Sequence, residues 1–302
     1  MSGILKVAVA GATGRIGSEI LKALLASGFQ VTALTRGTSR QALASTVAIK
    51  IVDYDSLESL TDALKGHDAV VSLLQAASTA TSQKVLLDAA IKAHVKRFIP
   101  SEYGSDSQNE KSSQLPFFVP KRKFQEVIKK EADAGNVEYT LISTGPFLDM
   151  CIDAGLFVNL KEKSVTLYDG GNRLFSTTTV TTLGKAIVGV LQHPEETKNR
   201  AVYIQDIAIT QKRIVEMGKK AVGSDGWKEE VVPITTFLKE IEEEEKKSTP
   251  DYTVLMFNSV KVGIFGEGYG SHFQNLDNKI LGIKGLTEDE VQGLLDAHAK
   301  NL

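Results

Sequence analysis

Through the first half of the chain, short apolar runs alternate with longer stretches in which apolar residues recur every three or four positions. Lys6–Ala10 reads as a strand, and Ile16, Ile20, Leu21, Leu24 and Leu25 form a helical stripe directly behind it. Gln30–Leu34, Val47–Val52, Ala69–Leu74, Val95–Pro100 and Tyr139–Ser143 read as further strands, with helices over Leu57–Leu64, Ser82–Ala93 and Lys121–Ala134. Apolar strands too short to be helices, separated by amphipathic helices, predict a parallel sheet covered on both faces. The predicted class is α/β, a doubly wound parallel sheet of Rossmann type.

After Pro146 the rhythm changes. Val165–Tyr168, the threonine-rich Thr177–Thr182 and Ala201–Ile204 read as shorter strands, with helices over Leu183–Leu191 and Gln211–Lys219. Thr287 and Glu290 have the spacing of a capping box for a last helix through Leu295. Glu242–Glu245 followed by two lysines reads as a solvated helix end. These signs divide the chain into a dinucleotide-binding domain, 1–145, and a smaller α/β substrate domain, 146–302, partly interleaved with the main sheet.

Composition narrows the function classes. With 302 residues, 42% of them hydrophobic, the chain can bury a large core. A formal net charge of −2 gives no overall basic footprint for nucleic acid. One cysteine, Cys151, excludes an internal disulfide framework and fits a reducing compartment. The first residues run straight into a strand without a leader pattern, and no apolar run reaches the roughly 18 residues that a membrane span needs. The expectation is a cytoplasmic protein. His67, His94, His193, His272 and His298 show no metal-ligand spacing.

Gly11-Ala-Thr-Gly14-Arg-Ile-Gly17 joins the first strand to the first helix. The usual dinucleotide fingerprint is Gly-x-Gly-x-x-Gly; here the spacing is Gly-x-x-Gly-x-x-Gly. Its position is what gives it meaning, because backbone N–H groups and the helix dipole at a strand-to-helix turn favour a pyrophosphate. Gly11 would permit the tight turn, Gly14 the close approach of phosphate, and Gly17 the packing of helix on strand. Where an NAD site commonly ends the second strand with a carboxylate, this chain has Arg36, then Thr38, Ser39 and Arg40. A guanidinium offers a planar fork suited to a 2′-phosphate, so the expected cofactor is NADPH. Asp53, at the end of the third strand, is either an adenine neighbour or a turn residue. The expected cofactor contacts are Gly11, Thr13, Gly14, Arg15, Ile16, Gly17, Arg36, Arg40, Asp53, Leu74 and Gln75, with Lys121 beside the nicotinamide.

The fifth strand closes as Phe98-Ile-Pro-Ser101-Glu102-Tyr103-Gly104, and Lys121-Arg-Lys123-Phe124 opens a later helix. With the glycine loop and the arginine after the second strand, these residues resemble the NmrA-like, isoflavone-reductase-like branch of the atypical short-chain dehydrogenases. The resemblance covers most of the first 150 residues and continues more loosely through Thr181–Ala186 and Tyr203–Thr210. The carboxyl-terminal segments resemble fungal members with no assigned substrate. The resemblance implies reduction of a phenolic, phenylpropanoid-like molecule by NADPH, with a lysine at this helix start as general acid/base. That role falls on Lys121, or on Lys123 if the loop shifts by two.

The chain departs from the family at two points, with Tyr103 where the enzymes often have Phe and Gln75 where they have glycine. A further check concerns the Tyr-x-x-x-Lys pair of ordinary short-chain dehydrogenases, which no tyrosine here forms. A proton donor must therefore come from elsewhere, and a desolvated lysine suits the task. On the substrate side the expected residues are Tyr103, Pro146 and Phe147, although Phe147 equally fits a core. Phe265 and Tyr269 belong to Gly263–Gly270, which reads either as a flap over an aromatic substrate or as a plain loop. A small-molecule substrate is the expected partner, with the oligomeric state open between monomer and homodimer. The alternative implied by the same resemblance is a nucleotide-sensing regulator without catalysis.

Overall fold

The computed structural model of the chain describes residues 3–37, 47–74 and 79–302; Thr38, Ser39, Arg40 and Gln75 lie outside them. Seven strands form one sheet in the order β3-β2-β1-β4-β5-β6-β9, with every adjacent pair parallel. They span Lys6–Ala10 (β1), Gln30–Thr35 (β2), Ala48–Ile51 (β3), Ala69–Ser72 (β4), Arg97–Ile99 (β5), Glu138–Ser143 (β6) and Arg200–Tyr203 (β9). Four other strands pair outside this sheet. Ser164–Tyr168 (β7) runs parallel to Lys228–Val232 (β11), and Leu174–Thr177 (β8) runs antiparallel to Ile207–Thr210 (β10).

The two-residue period of a strand sends alternate side chains to opposite faces, and each face has its own helices. Val7 and Val9 pack with Ile20, Leu21 and Leu24 of α1 (Arg15–Ala26) and with Leu183, Ile187 and Val190 of α6 (Val180–Gln192). Ala8 and Ala10 face the other layer, made by α2 (Leu57–Leu64), α3 (Thr79–Lys92) and α4 (Val119–Asp133). From the second half of the chain, α6 and β9 thus belong to the layers of the main sheet. A third core of large aromatics, including Phe157, Tyr168, Phe175 and Phe265, lies under the remaining elements. Among these are α5 (Leu148–Asp153), α8 (Gln211–Val222), α9 (Ile234–Glu245), α10 (Tyr252–Phe265) and α11 (Glu288–Ala299). The capping box predicted at Thr287 and Glu290 is present at the start of α11.

One predicted strand is replaced by a helix. Thr177–Thr182 is β-branched and reads as extended, yet β8 ends at Thr177, Thr179 caps a helix end and α6 begins at Val180. The cause is distant in sequence. Asp206, 6% exposed, accepts from the Thr179 amide at 2.7 Å and from the hydroxyls of Thr179 and Thr182, both at 2.8 Å. A buried carboxylate with three donors at a helix N-terminus outweighs the modest strand preference of threonine. The helix carrying Lys121 also starts earlier than predicted, at Val119, with Pro120 in its first turn.

Candidate active site

Strand order reverses about β1, with β2 on one side and β4 on the other, so the crevice at their carboxyl ends is the topological switch point of the sheet. The glycine loop lies there. Gly11 has φ +82°, and a Cβ on it would stand 2.6 Å from the Leu73 carbonyl oxygen at the end of β4. A Cβ on Gly17 would stand 2.4 Å from the Ala12 carbonyl oxygen, so helix and loop touch backbone to backbone. Gly14 differs: a Cβ there would meet only the Gly11 carbonyl oxygen, at 3.8 Å. It caps α1 without a side-chain hydrogen bond, and no acidic residue occupies the first turn. The leading N–H groups of α1 and the positive end of its dipole are therefore left to an anion.

A cleft of about 490 Å³ opens over this turn. Gly11, Thr13, Gly14, Arg15, Ile16 and Gly17 wall it on one side, and Arg36, Asp53 and Leu74 join them; of the expected cofactor contacts among the described residues, Lys121 alone is not on this wall. Arg36 is exposed at the end of β2. Asp53 faces the cleft, and its Oδ1 accepts from the Asp55 amide at 3.0 Å, fixing the turn after β3. The residues present fit a phosphorylated dinucleotide, with open space at Gly14 and a guanidinium in place of a ribose-binding carboxylate on β2.

Sequence reading missed seven residues that also line this cleft, among them Tyr54, Ser82 and Met150. Tyr54 donates its hydroxyl to the Leu34 carbonyl at 3.1 Å, and burial pushes its pKa up to about 12. Met150 comes from α5, beyond the first 145 residues, and no local pattern announces it.

Lys121 is not among the residues walling that cleft; its environment is built by the loop after β5. This loop is pinned at the carboxyl edge of the sheet. The Gln83 side chain accepts from the Ser101 amide at 2.8 Å, and the Gly104 carbonyl accepts from the amides of Thr144 and Gly145 at 3.1 and 2.9 Å. The loop carries Glu102, 1% exposed. Its Oε2 accepts from the Gln125 side-chain amide at 2.7 Å and from the Ser107 hydroxyl at 3.0 Å, whereas Oε1 is buried without a partner. Burial raises the Glu102 pKa, while the nearby Lys121 charge and the two donors pull it back.

The Lys121 ammonium stands 5.7 Å from the centre of the Phe117 ring. Desolvation lowers its pKa, and Glu102 opposes the shift. Its place in the first turn of α4 acts in the same downward sense, because the dipole there disfavours a cation. Lys123, two residues on, is exposed. Neighbours two apart on a helix face different directions, and here the first is half-buried and the second exposed.

The expected substrate-side residues do not share one environment. Tyr103 is half-buried against the α1/α6 face, and its hydroxyl is buried with no partner. Pro146 and Phe147 are half-buried before α5; the Pro146 carbonyl accepts from the Thr177 hydroxyl at 2.7 Å. Phe265 is corrected. It is the last residue of α10 and 1% exposed, stacked on Tyr168 at 4.5 Å between ring centroids. Apolar burial draws it into the aromatic core, so it cannot line a flap over a ligand. Tyr269 lies in the loop beyond, half-buried, with its carbonyl accepting from the Ser112 hydroxyl at 2.6 Å.

A seven-stranded doubly wound sheet, with a glycine turn at its switch point, defines a dinucleotide-binding protein of Rossmann type. Residues 5–267 match the model of the NmrA-like family, and the chain belongs to that family. It is 35% identical over 226 residues to "Oxidoreductase aprR" of Aspergillus flavus, covering 73% of this chain and 75% of that protein. It is 27% identical over 266 residues to "Bifunctional pinoresinol-lariciresinol reductase 2" of Linum usitatissimum, covering 80% and 78%. Among solved structures, that described as "AtPrR2 with NADP+ and (+)pinoresinol" superposes with a TM-score of 0.81 at 23% identity, over 98% of this chain and 99% of that one. No helix among the described residues is long and apolar enough to cross a membrane.

Proposed function

We propose that this protein is an NADPH-dependent reductase of the isoflavone-reductase-like type, acting on a conjugated, aromatic small molecule, with Lys121 as its proton donor. The observation that carries the reading is a half-buried lysine in the first turn of α4, the helix that follows β5, with its ammonium against the Phe117 ring and its pKa lowered by desolvation. Membership of a family with relatives named as oxidoreductases and as a lignan reductase supports the same reading.

When bound, NADPH supplies the hydride. The protein does the rest. The first-turn amides of α1 would hold the pyrophosphate, and Arg36 would engage the 2′-phosphate. Lys121 would give a proton to the substrate atom that becomes basic on reduction, and regain it from solvent. Residues 146–302 supply the substrate side, with the half-buried Pro146 and Phe147 at its edge. Orienting a planar substrate against the cofactor provides much of the remaining rate enhancement.

The test is loss of NADPH absorbance when purified protein meets a panel of enones, quinones and phenylpropanoid lignans. Turnover of an aromatic member that depends on Lys121 supports the proposal. Tight NADPH binding with no oxidation across the panel would shift the assignment to a nucleotide-sensing regulator.

A further inference from the structure

His298 has no metal-ligand spacing and Asp153 belongs to no motif in the sequence, yet the fold brings both to the start of α1. Arg15 is the first residue of that helix and part of the wall of the cofactor cleft. Its Nη2 stands 2.5 Å from Oδ2 of Asp153, the last residue of α5. Nδ1 of His298, in the last turn of α11, stands 3.0 Å from the other carboxylate oxygen, Oδ1. Both oxygens of one carboxylate are thus engaged, by side chains near opposite ends of the chain.

Met150, one turn before Asp153 on α5, lines the same cleft as Arg15, whereas Asp153 does not. The carboxylate takes one amino group of the guanidinium, and the other N–H donors of the fork stay available to a ligand. Asp149, the other acid of α5, is committed elsewhere: its carboxylate accepts from the Met150 amide at 2.9 Å and from the Val180 amide at 3.3 Å. The Arg15 and Asp153 side chains are 55% and 41% exposed, so their pairing contributes little to the stability of the fold. What it supplies is order. A free arginine on an exposed helix end samples many rotamers, and a ligand that recruits it loses affinity in stilling it.

We infer that Asp153 is a positioning residue of the cofactor site: from the second half of the chain it holds the Arg15 guanidinium at the cleft, where it meets the pyrophosphate before the first-turn amides of α1, and His298 steadies the carboxylate in turn. The inference needs only dinucleotide binding and stands apart from the reading of Lys121. Pyrophosphate is common to NADPH and NADH, so the effect of Asp153 falls equally on both, unlike that of Arg36.

The experiment is calorimetric titration of the full chain with NADPH and with NADH, beside urea unfolding. Arg15→Ala weakens both dinucleotides by about tenfold. Asp153→Asn, which keeps the shape and removes the charge, weakens both by about threefold, the share that belongs to ordering one long side chain. Asp153→Glu, which restores the charge, recovers most of that loss. The double variant binds no more weakly than Arg15→Ala alone, because without the guanidinium the carboxylate has nothing to position. Unfolding midpoints remain those of the parent throughout. Parent affinity in Asp153→Asn overturns the inference. So does tighter binding, which would make the carboxylate a competitor of the phosphate for Arg15. A loss confined to NADPH overturns it as well, as do losses that add in the double variant, the result that a purely structural role for Asp153 would give.

Discussion

Gly14→Val separates a phosphate cradle from a glycine-rich turn, because the structure says the substitution is tolerated by the fold and not by the ligand. Gly14 has φ −79° and ψ 171°, extended backbone that any L-residue adopts. A Cβ there has its nearest neighbour at 3.8 Å. The folding cost is confined to a poorer cap on α1, about 1 kcal/mol or less. The isopropyl group, however, fills the space directly before the first-turn amides. Displacing an anion from one or two charge-assisted hydrogen bonds costs about 3 kcal/mol, or about a hundredfold in Kd. Gly17→Ala is the converse control. Its Cβ would lie 2.4 Å from the Ala12 carbonyl oxygen, and backbone cannot swing aside as a side chain can. The separation of α1 from the loop should cost about 3 kcal/mol. Calorimetric titration with NADPH and urea unfolding, run on both variants, read the two effects independently. A Gly14→Val protein with the parent unfolding midpoint and the parent NADPH affinity would refute the cradle.

Arg36 directly follows β2 where a ribose-binding carboxylate is absent, so NADPH should bind at least about tenfold tighter than NADH, roughly 1.4 kcal/mol. Arg36→Ala should erase most of that preference while leaving NADH affinity nearly unchanged; equal affinities in the parent would sink the assignment. Lys121→Ala should lower kcat by about 10² to 10⁴ with NADPH affinity nearly intact, whereas exposed Lys123 should tolerate alanine with little effect. The acid is the protonated lysine and desolvation lowers its pKa. The parent kcat should therefore fall as pH rises, on a limb below the ordinary lysine value of about 10.4; a limb at or above that value speaks against Lys121. Asp206→Ala should destabilise the fold by about 3 kcal/mol, since it strips three donors at the start of α6 of their acceptor. A denaturation midpoint within error of the parent would show that threonine side chains alone start that helix.

Much of the fold was legible because its signals are local. The six predicted strands of the first half correspond to β1–β6: β1 matches, β2 and β6 run one residue longer, and β3, β4 and β5 are shorter by one or two residues at an end. Arg40 and Gln75 fall outside the described residues, so their place at the cofactor is still an expectation. The second half was read less well. β8, β11, α10 and all but the end of α9 were not among the predicted elements; α10 is apolar without one dominant face, and β11 is mostly exposed, so neither shows a one-sided pattern.

The sequence by itself determined the switch-point turn, because a tight turn, an open phosphate site and a close helix contact each demand glycine, and the three demands fall at fixed spacing between an apolar run and an amphipathic one. It also determined the absence of a Tyr-x-x-x-Lys pair, and hence the need for another acid. Tertiary structure decided what depends on groups far apart along the chain. Asp206 makes a helix start of threonines that prefer strands, and the aromatic core claims Phe265 from a loop that reads as mobile. Propensity acts over a few residues and is worth tenths of a kcal/mol at each position, whereas a buried carboxylate or a large apolar ring is worth several at once. Where the two disagree, the long-range contact prevails, and no window along the sequence contains both of its partners.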